Sequence, residues 1–178
     1  ISAGQNDFCV FAKNETEYFI LENRQQSGRD AFLPDGGLVI WHVDEEGSNN
    51  NEQMTPSQHY ECSLEQADNR FDLERNANAG DSKDLFGSPY KTQFSDSTAP
   101  NSKWWDGGNS GLKIAEISEP AAVMTFTVAP TAGWVNGKLV HVDDMAPLRL
   151  GFEGTARSNG ETPDTTAPSA EAQTKATI

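Results

Sequence analysis

The run Leu38-Val39-Ile40-Trp41-His42-Val43-Asp44 constrains the fold more than any other stretch of this sequence. It is a nearly continuous apolar segment of β-branched and aromatic residues, too short for a buried helix, and it suits a central strand covered on both faces. Strand alternation sets Ile40, His42 and Asp44 on one face and Val39, Trp41 and Val43 on the other. Around it lie further short runs of the same character. Asp7–Ala12 and Glu17–Asn23 read as a hairpin closed by the polar residues of Lys13–Thr16. His59–Gln66 alternates, with Tyr60, Cys62 and Leu64 sharing a face, and Leu112–Ile117 with Val123–Ala129 forms a final strand pair through Ser118, Glu119 and Pro120. Fifteen glycines and nine prolines supply turns between them. The expectation is an all-β, sandwich-like fold of antiparallel sheets, about seven or eight short strands joined by long ordered loops.

The organisation changes along the chain. Residues 1–130 read as one β-rich domain. Residues 131–154 read as an additional hairpin, with an Asn136-Gly137 turn between apolar residues. Residues 155–178 are rich in Ser, Thr, Ala and Pro and read as a linker or tail. No apolar run approaches the ~20 residues of a membrane span. Ile1 opens no charged-then-apolar leader, so a secreted chain would carry its leader upstream, and the sequence is expected to be a segment of a longer one.

Charge narrows the partners. Asp and Glu number 27 against 13 Lys and Arg, a formal net charge of −14. Such a surface repels nucleic-acid phosphates and anionic headgroups and attracts cations. The acids concentrate in one polar loop, where Asp68, Asp72, Glu74, Asp81 and Asp84 are interleaved with Asn69, Asn76 and Asn78. Hard oxygen donors at that density suit Ca²⁺, although the Asp-x-Asp-x-Asp-Gly core of an EF-hand is absent and a solvated acidic loop is the alternative.

Catalytic signatures are missing. The histidines are His42, His59 and His141, and none has the spacing of an HExxH zinc helix. No GxSxG elbow occurs. His42, Asp44 and His59 form a secondary polar cluster, read either as hydrogen-bonded partners at a sheet edge or as transition-metal ligands. Trp104-Trp105, followed by Asp106-Gly107-Gly108, is a candidate ligand loop able to stack on a sugar; the other reading is that one Trp plugs the core. Cys9 and Cys62 each lie in a strand-like run, which leaves open either one bridge between neighbouring strands or two buried thiols.

The stretch Glu17-Tyr18-Phe19-Ile20-Leu21-Glu22-Asn23-Arg24-Gln25 resembles the strand that follows the catalytic core in the immune-inhibitor-A-like (M6) zinc metalloproteases. The resemblance continues through Gly28, Asp30, Leu33-Pro34, Gly37 and the Leu38–Asp44 strand. It persists in Asn50, His59-Tyr60, Gln66-Ala67-Asp68, Asp72-Leu73-Glu74, Gly80-Asp81 and Asp84, and then in Pro100-Asn101-Ser102, Ser110-Gly111 and Met124-Thr125-Phe126. It implies a secreted, non-catalytic domain C-terminal to the protease core, with zinc held only in an upstream domain. The departure is plain: without the HExxH helix this chain alone would not cut peptides. The partners implied are the upstream protease domain or a neighbouring chain. A glycan-binding or protein-binding extracellular module, and an assembly subunit derived from a protease, are the alternatives. The resemblance strengthens the calcium reading of the acidic loop, and secretion favours a Cys9–Cys62 disulfide.

Overall fold

In a computed structural model of the chain, the described residues are 1–5, 7–48 and 54–128, together with the backbone of Leu139–Val142. They form an all-β fold of two antiparallel sheets, with no α-helix among the described residues and a single 3₁₀ turn at Gly28–Asp30.

The larger sheet is built around the predicted hairpin. Strand β1 (Phe8–Ala12) pairs with β2 (Glu17–Arg24), and β2 pairs along its whole length with β3 (Gly37–Asp44). The loop between β1 and β2 closes because the Asn14 Oδ1 accepts the backbone N–H groups of Thr16 and Glu17, at 2.9 and 2.6 Å. Strand β4 (Cys62–Leu64) lies outside β3, with Trp41 opposite Leu64. The smaller sheet is made of β5 (Phe94–Ser95), β6 (Lys113–Ala115) and β7 (Thr127–Val128).

The eighth strand, β8, is Leu139–Val142. This end of the expected 131–154 hairpin pairs antiparallel with β1, Phe8 opposite Val142, and completes a five-stranded sheet in the order β4-β3-β2-β1-β8. It is therefore an edge strand of the first sheet. The Asn136-Gly137 turn and the 155–178 tail lie outside the described residues.

Alternation on β2 decides where the core sits. Glu17, Phe19, Leu21 and Asn23 are buried while Tyr18, Ile20, Glu22 and Arg24 are partly exposed. Phe19 and Leu21 join Phe11, Leu38 and Ile40 of the larger sheet and Phe94, Ile114 and Phe126 from the smaller sheet's side in one apolar cluster. Phe94 meets both Phe19 and Phe86 edge-on, with centroids 5.6 Å apart in each case. Asn23 ties the chain start to the last strands: its Nδ2 donates to the Ile1 carbonyl at 3.0 Å and the Ala121 carbonyl at 2.9 Å. Arg24 bridges Glu22 and Asp30 at 3.1 and 3.2 Å, a structural ion pair at the strand end.

Strand order also corrects the disulfide. Cys9 on β1 and Cys62 on β4 are separated by two intervening strands, and both thiols are free. Cys9 belongs to the buried core while Cys62 is exposed. Neighbouring strands lie about 4.8 Å apart, so the pair is well beyond the ~4–7 Å Cα separation that a disulfide requires.

Candidate metal centre and the imidazole cluster

The acidic loop begins where β4 ends. Gln66, fully buried, anchors it: its Oε1 accepts the Asp72 N–H at 2.8 Å and its Nε2 donates to Glu74 at 2.7 Å. The Ala67 N–H donates to the Asp84 carbonyl at 2.8 Å and closes the loop at its far end. Between these anchors the backbone enters the left-handed region at Asn69, Phe71, Asn76 and Gly80. Gly80 is the position that demands glycine, since φ is +100° and a Cβ would stand 2.7 Å from Pro34 Cγ.

This winding brings together one carboxylate oxygen from each of Asp68, Asp72 and Asp81, all within 4.8 Å of one another. Oxygens bound to a single Ca²⁺ at about 2.4 Å lie at most about 4.8 Å apart, so the spacing fits one shared ion. Asn78 Nδ2 bridges two of these groups, donating to Asp72 at 3.2 Å and Asp81 at 3.4 Å. Asp84 stands beside them and accepts the Asp81 N–H through Oδ2 at 2.7 Å.

Two oxygens lack the partners that burial normally requires. Asp68 Oδ2 has no hydrogen bond and only Arg70 Nε at 3.5 Å, although the Asp68 side chain is 5% exposed. Asp84 Oδ1 is likewise buried without a hydrogen bond. Burial pushes the Asp84 carboxyl up, and the charges of Asp81, Asp68 and Asp35 add to the shift. Glu74 is raised for the same leading reason, with Glu65 and Asp84 contributing. A hard cation is the group that would satisfy such a set. Of the five acids expected to hold it, Asp68, Asp72 and Asp81 converge, Asp84 borders them, and Glu74 is held by Gln66.

His42, Asp44 and His59 form a different site. His42 Nε2 donates to Glu17 Oε1 at 3.2 Å, and its Nδ1 faces Glu65 at 3.4 Å. Burial disfavours the imidazolium, but the hydrogen bonds to Glu17 and Glu65, with their charges, hold the His42 pKa above its ordinary value. For Glu17, burial alone would raise the carboxyl. Hydrogen bonds from His42, Lys13 and the Trp105 N–H outweigh it and keep Glu17 below the usual range. His59 Nε2 lies 2.8 Å from Asp44 Oδ2, and its Nδ1 lies 2.9 Å from the Thr55 carbonyl oxygen. Every ring nitrogen of this pair is thus committed to an acceptor within the fold. The arrangement is a buried hydrogen-bonded cluster, and the ligand geometry of a transition-metal site is not what it presents.

The two tryptophans also divide their roles. Trp104 is 6% exposed and stacks on Phe11 and Phe19, so it plugs the core. Trp105 is partly buried and stacks on both imidazoles. Neither ring stands free as a sugar platform. The loop is pinned by Lys13, which reaches Glu17 and Asp106, and by Asp96, which accepts the Ser110 and Gly111 N–H groups at 2.9 Å each. Glu17, Glu65 and Asp96 were not singled out by sequence reasoning. For Glu17 the signal in the sequence was partial: alternation sets it on the face of Phe19 and Leu21, while its pairing opposite Asp44 appears only in the fold.

Compared with protein-family models, curated proteins and solved structures, the chain matches none.

Proposed function

We propose that this chain is a non-catalytic, sandwich-like β-domain of a secreted M6-type metalloprotease, rigidified by calcium in its acidic loop and serving to support a zinc-bearing domain upstream. The reading is carried by the convergence of Asp68, Asp72 and Asp81, beside which Asp68 Oδ2 and Asp84 Oδ1 are buried without hydrogen bonds. Carboxylates so placed repel one another, and a divalent cation converts that repulsion into cross-linking of the loop. The ordered motifs from Glu17 to Phe126 connect the domain to the protease family.

The test is thermal unfolding in calcium against excess EDTA. An ion present at a hundredfold its Kd adds about 2.7 kcal/mol, which raises the midpoint by roughly 5–10 °C for a domain of this size. The rise should vanish in Asp81→Asn. Identical midpoints in the two buffers, with no bound metal by elemental analysis, would sink the calcium reading.

A further inference from the structure

One acceptor triplet for an N-linked glycan, Asn-x-Ser/Thr with x not proline, occurs in the sequence: Asn14-Glu15-Thr16. Any such glycan on this chain therefore maps to a single side chain. The triplet forms the tip of the β1–β2 hairpin, where Asn14 and Glu15 are exposed. Loop tips of this kind are where enzymes reach a folded chain, as their preferential nicking by proteases shows.

The hairpin also orients the Asn14 carboxamide. Its Oδ1 accepts the Thr16 hydroxyl at 3.1 Å, besides the Thr16 and Glu17 N–H groups at 2.9 and 2.6 Å. Oxygen and nitrogen lie on opposite sides of a planar amide, so these donors on Oδ1 turn Nδ2 outward. Among the described residues Nδ2 has no hydrogen-bond partner. The long side chain beside it, Lys13, is tied to Glu17 and Asp106 and is not free to fold over the amide. Closing the turn needs only an acceptor at position 14, which aspartate would supply equally. The amide nitrogen and the Thr16 hydroxyl are the parts of the triplet that closure does not require.

We propose that Asn14 is an N-glycosylation site. The donor is an oligosaccharide joined through its C1 carbon to a lipid diphosphate, transferred by an oligosaccharyl transferase of the secretory route. The Nδ2–C1 bond forms as the C1–O bond to the diphosphate breaks. The lipid diphosphate leaves with the bonding pair, and Nδ2 gives one of its two protons to a base of the transferase. Oδ1 keeps its lone pairs throughout, so the turn stays closed with the glycan in place. Meeting that enzyme rests on the secreted reading above; the geometry of the hairpin does not.

The full chain, given a leader and secreted from a eukaryotic host, tests the site by peptide mapping before and after a glycan-releasing amidase. The expected result is a glycan on the peptide carrying Asn14, with aspartate left at that position after release. Thr16→Ala should abolish the glycan and leave the unfolding midpoint nearly unchanged, since both backbone bonds to Oδ1 remain. Thr16→Ser should retain it. Bare Asn14 in the secreted, folded wild type overturns the site, as does a glycan that survives Thr16→Ala. Chain recovered from the medium of its own source with Asn14 glycosylated upholds both site and setting; with Asn14 bare it overturns the site and leaves the secreted reading standing. Chain found only inside the source cells overturns the secreted reading, and the host result alone then decides the site.

Discussion

Trp105 lies flat against His59, with ring centroids 4.3 Å apart and planes 9° from parallel. It stacks on His42 as well, at 5.0 Å and 13°. One indole thus joins two imidazoles whose ring nitrogens are all turned toward acceptors.

The charge on His42 makes stability pH-dependent with a definite sign. Its folded pKa is raised above the ordinary 6.5, so the folded state binds the proton more tightly than the unfolded chain. The contribution is complete below 6.5 and fades as pH rises through the elevated folded value. Urea unfolding of wild type and His42→Gln should show the largest gap at mildly acidic pH and a smaller one in alkaline buffer. A gap that does not change with pH would mean the ring carries no charge in the fold.

Glu17 is the hub of that cluster, taking the Lys13 ammonium, the His42 ring and the Trp105 amide on one buried carboxylate. Glu17→Gln leaves Lys13 with Asp106 alone and His42 with Glu65 alone, and should cost about 3 kcal/mol, as breaking a buried pair does. Chemical denaturation at neutral pH measures it. A loss below about 1 kcal/mol would place the group in effective contact with water.

The tryptophans should separate sharply. Trp104→Ala opens the core beside Phe11 and Phe19 and should cost about 3–5 kcal/mol. Trp105 buries its Nε1 without a hydrogen-bond partner, and an orphaned donor costs about 1–3 kcal/mol. Trp105→Phe removes that donor and keeps a ring for stacking, so its net effect should stay within about 1 kcal/mol. Equal losses at the two positions would contradict the assignment.

In the acidic loop the sign is the same, though the cause is burial of acids and not a paired cation. Asp84 and Glu74 have raised pKa values, led by burial, so without a cation the fold loses stability as pH climbs through those folded values. Unfolding midpoints in EDTA should decline from mildly acidic toward neutral pH relative to those in calcium, and calcium should flatten the curve. Parallel curves in the two buffers would show that no ion reaches these carboxylates.

Thiol chemistry checks the strand order. Cys9 is buried and pushed up to about 12, led by burial, whereas Cys62 is exposed. A thiol reagent should label Cys62 slowly in the native protein, since burial of its sulfur and the charges of Glu61 and Glu22 raise its pKa as well. Cys9 should react only after denaturation. Resistance of both thiols until a reductant is added would restore the bridge.

The sequence made β1, β2 and β3 legible because each is long enough to display a period or an unbroken apolar run. The β6–β7 pairing was equally readable. Phe94–Ser95 was not, since two residues carry no period. His59 and Tyr60 were expected inside a strand, but His59 is drawn toward Asp44 and Thr55, and β4 begins only at Cys62. The bridge between Cys9 and Cys62 failed for a related reason: alternation tells which face a residue occupies, not which strand stands beside it. The acidic loop was visible as composition, while the convergence of Asp68, Asp72 and Asp81 depends on left-handed turns that only Gly80 announces.

The pairing of Leu139–Val142 with β1 has a consequence for how the chain can be shortened. Phe8–Ala12 is an uninterrupted apolar ribbon, and without its outer neighbour it would present a row of bare amides and carbonyls to solvent. Such a border is a template for other molecules. The opposite border is short, at Cys62–Leu64. A chain ended near residue 130 would bare that border and should clump more readily than one that keeps Leu139–Val142.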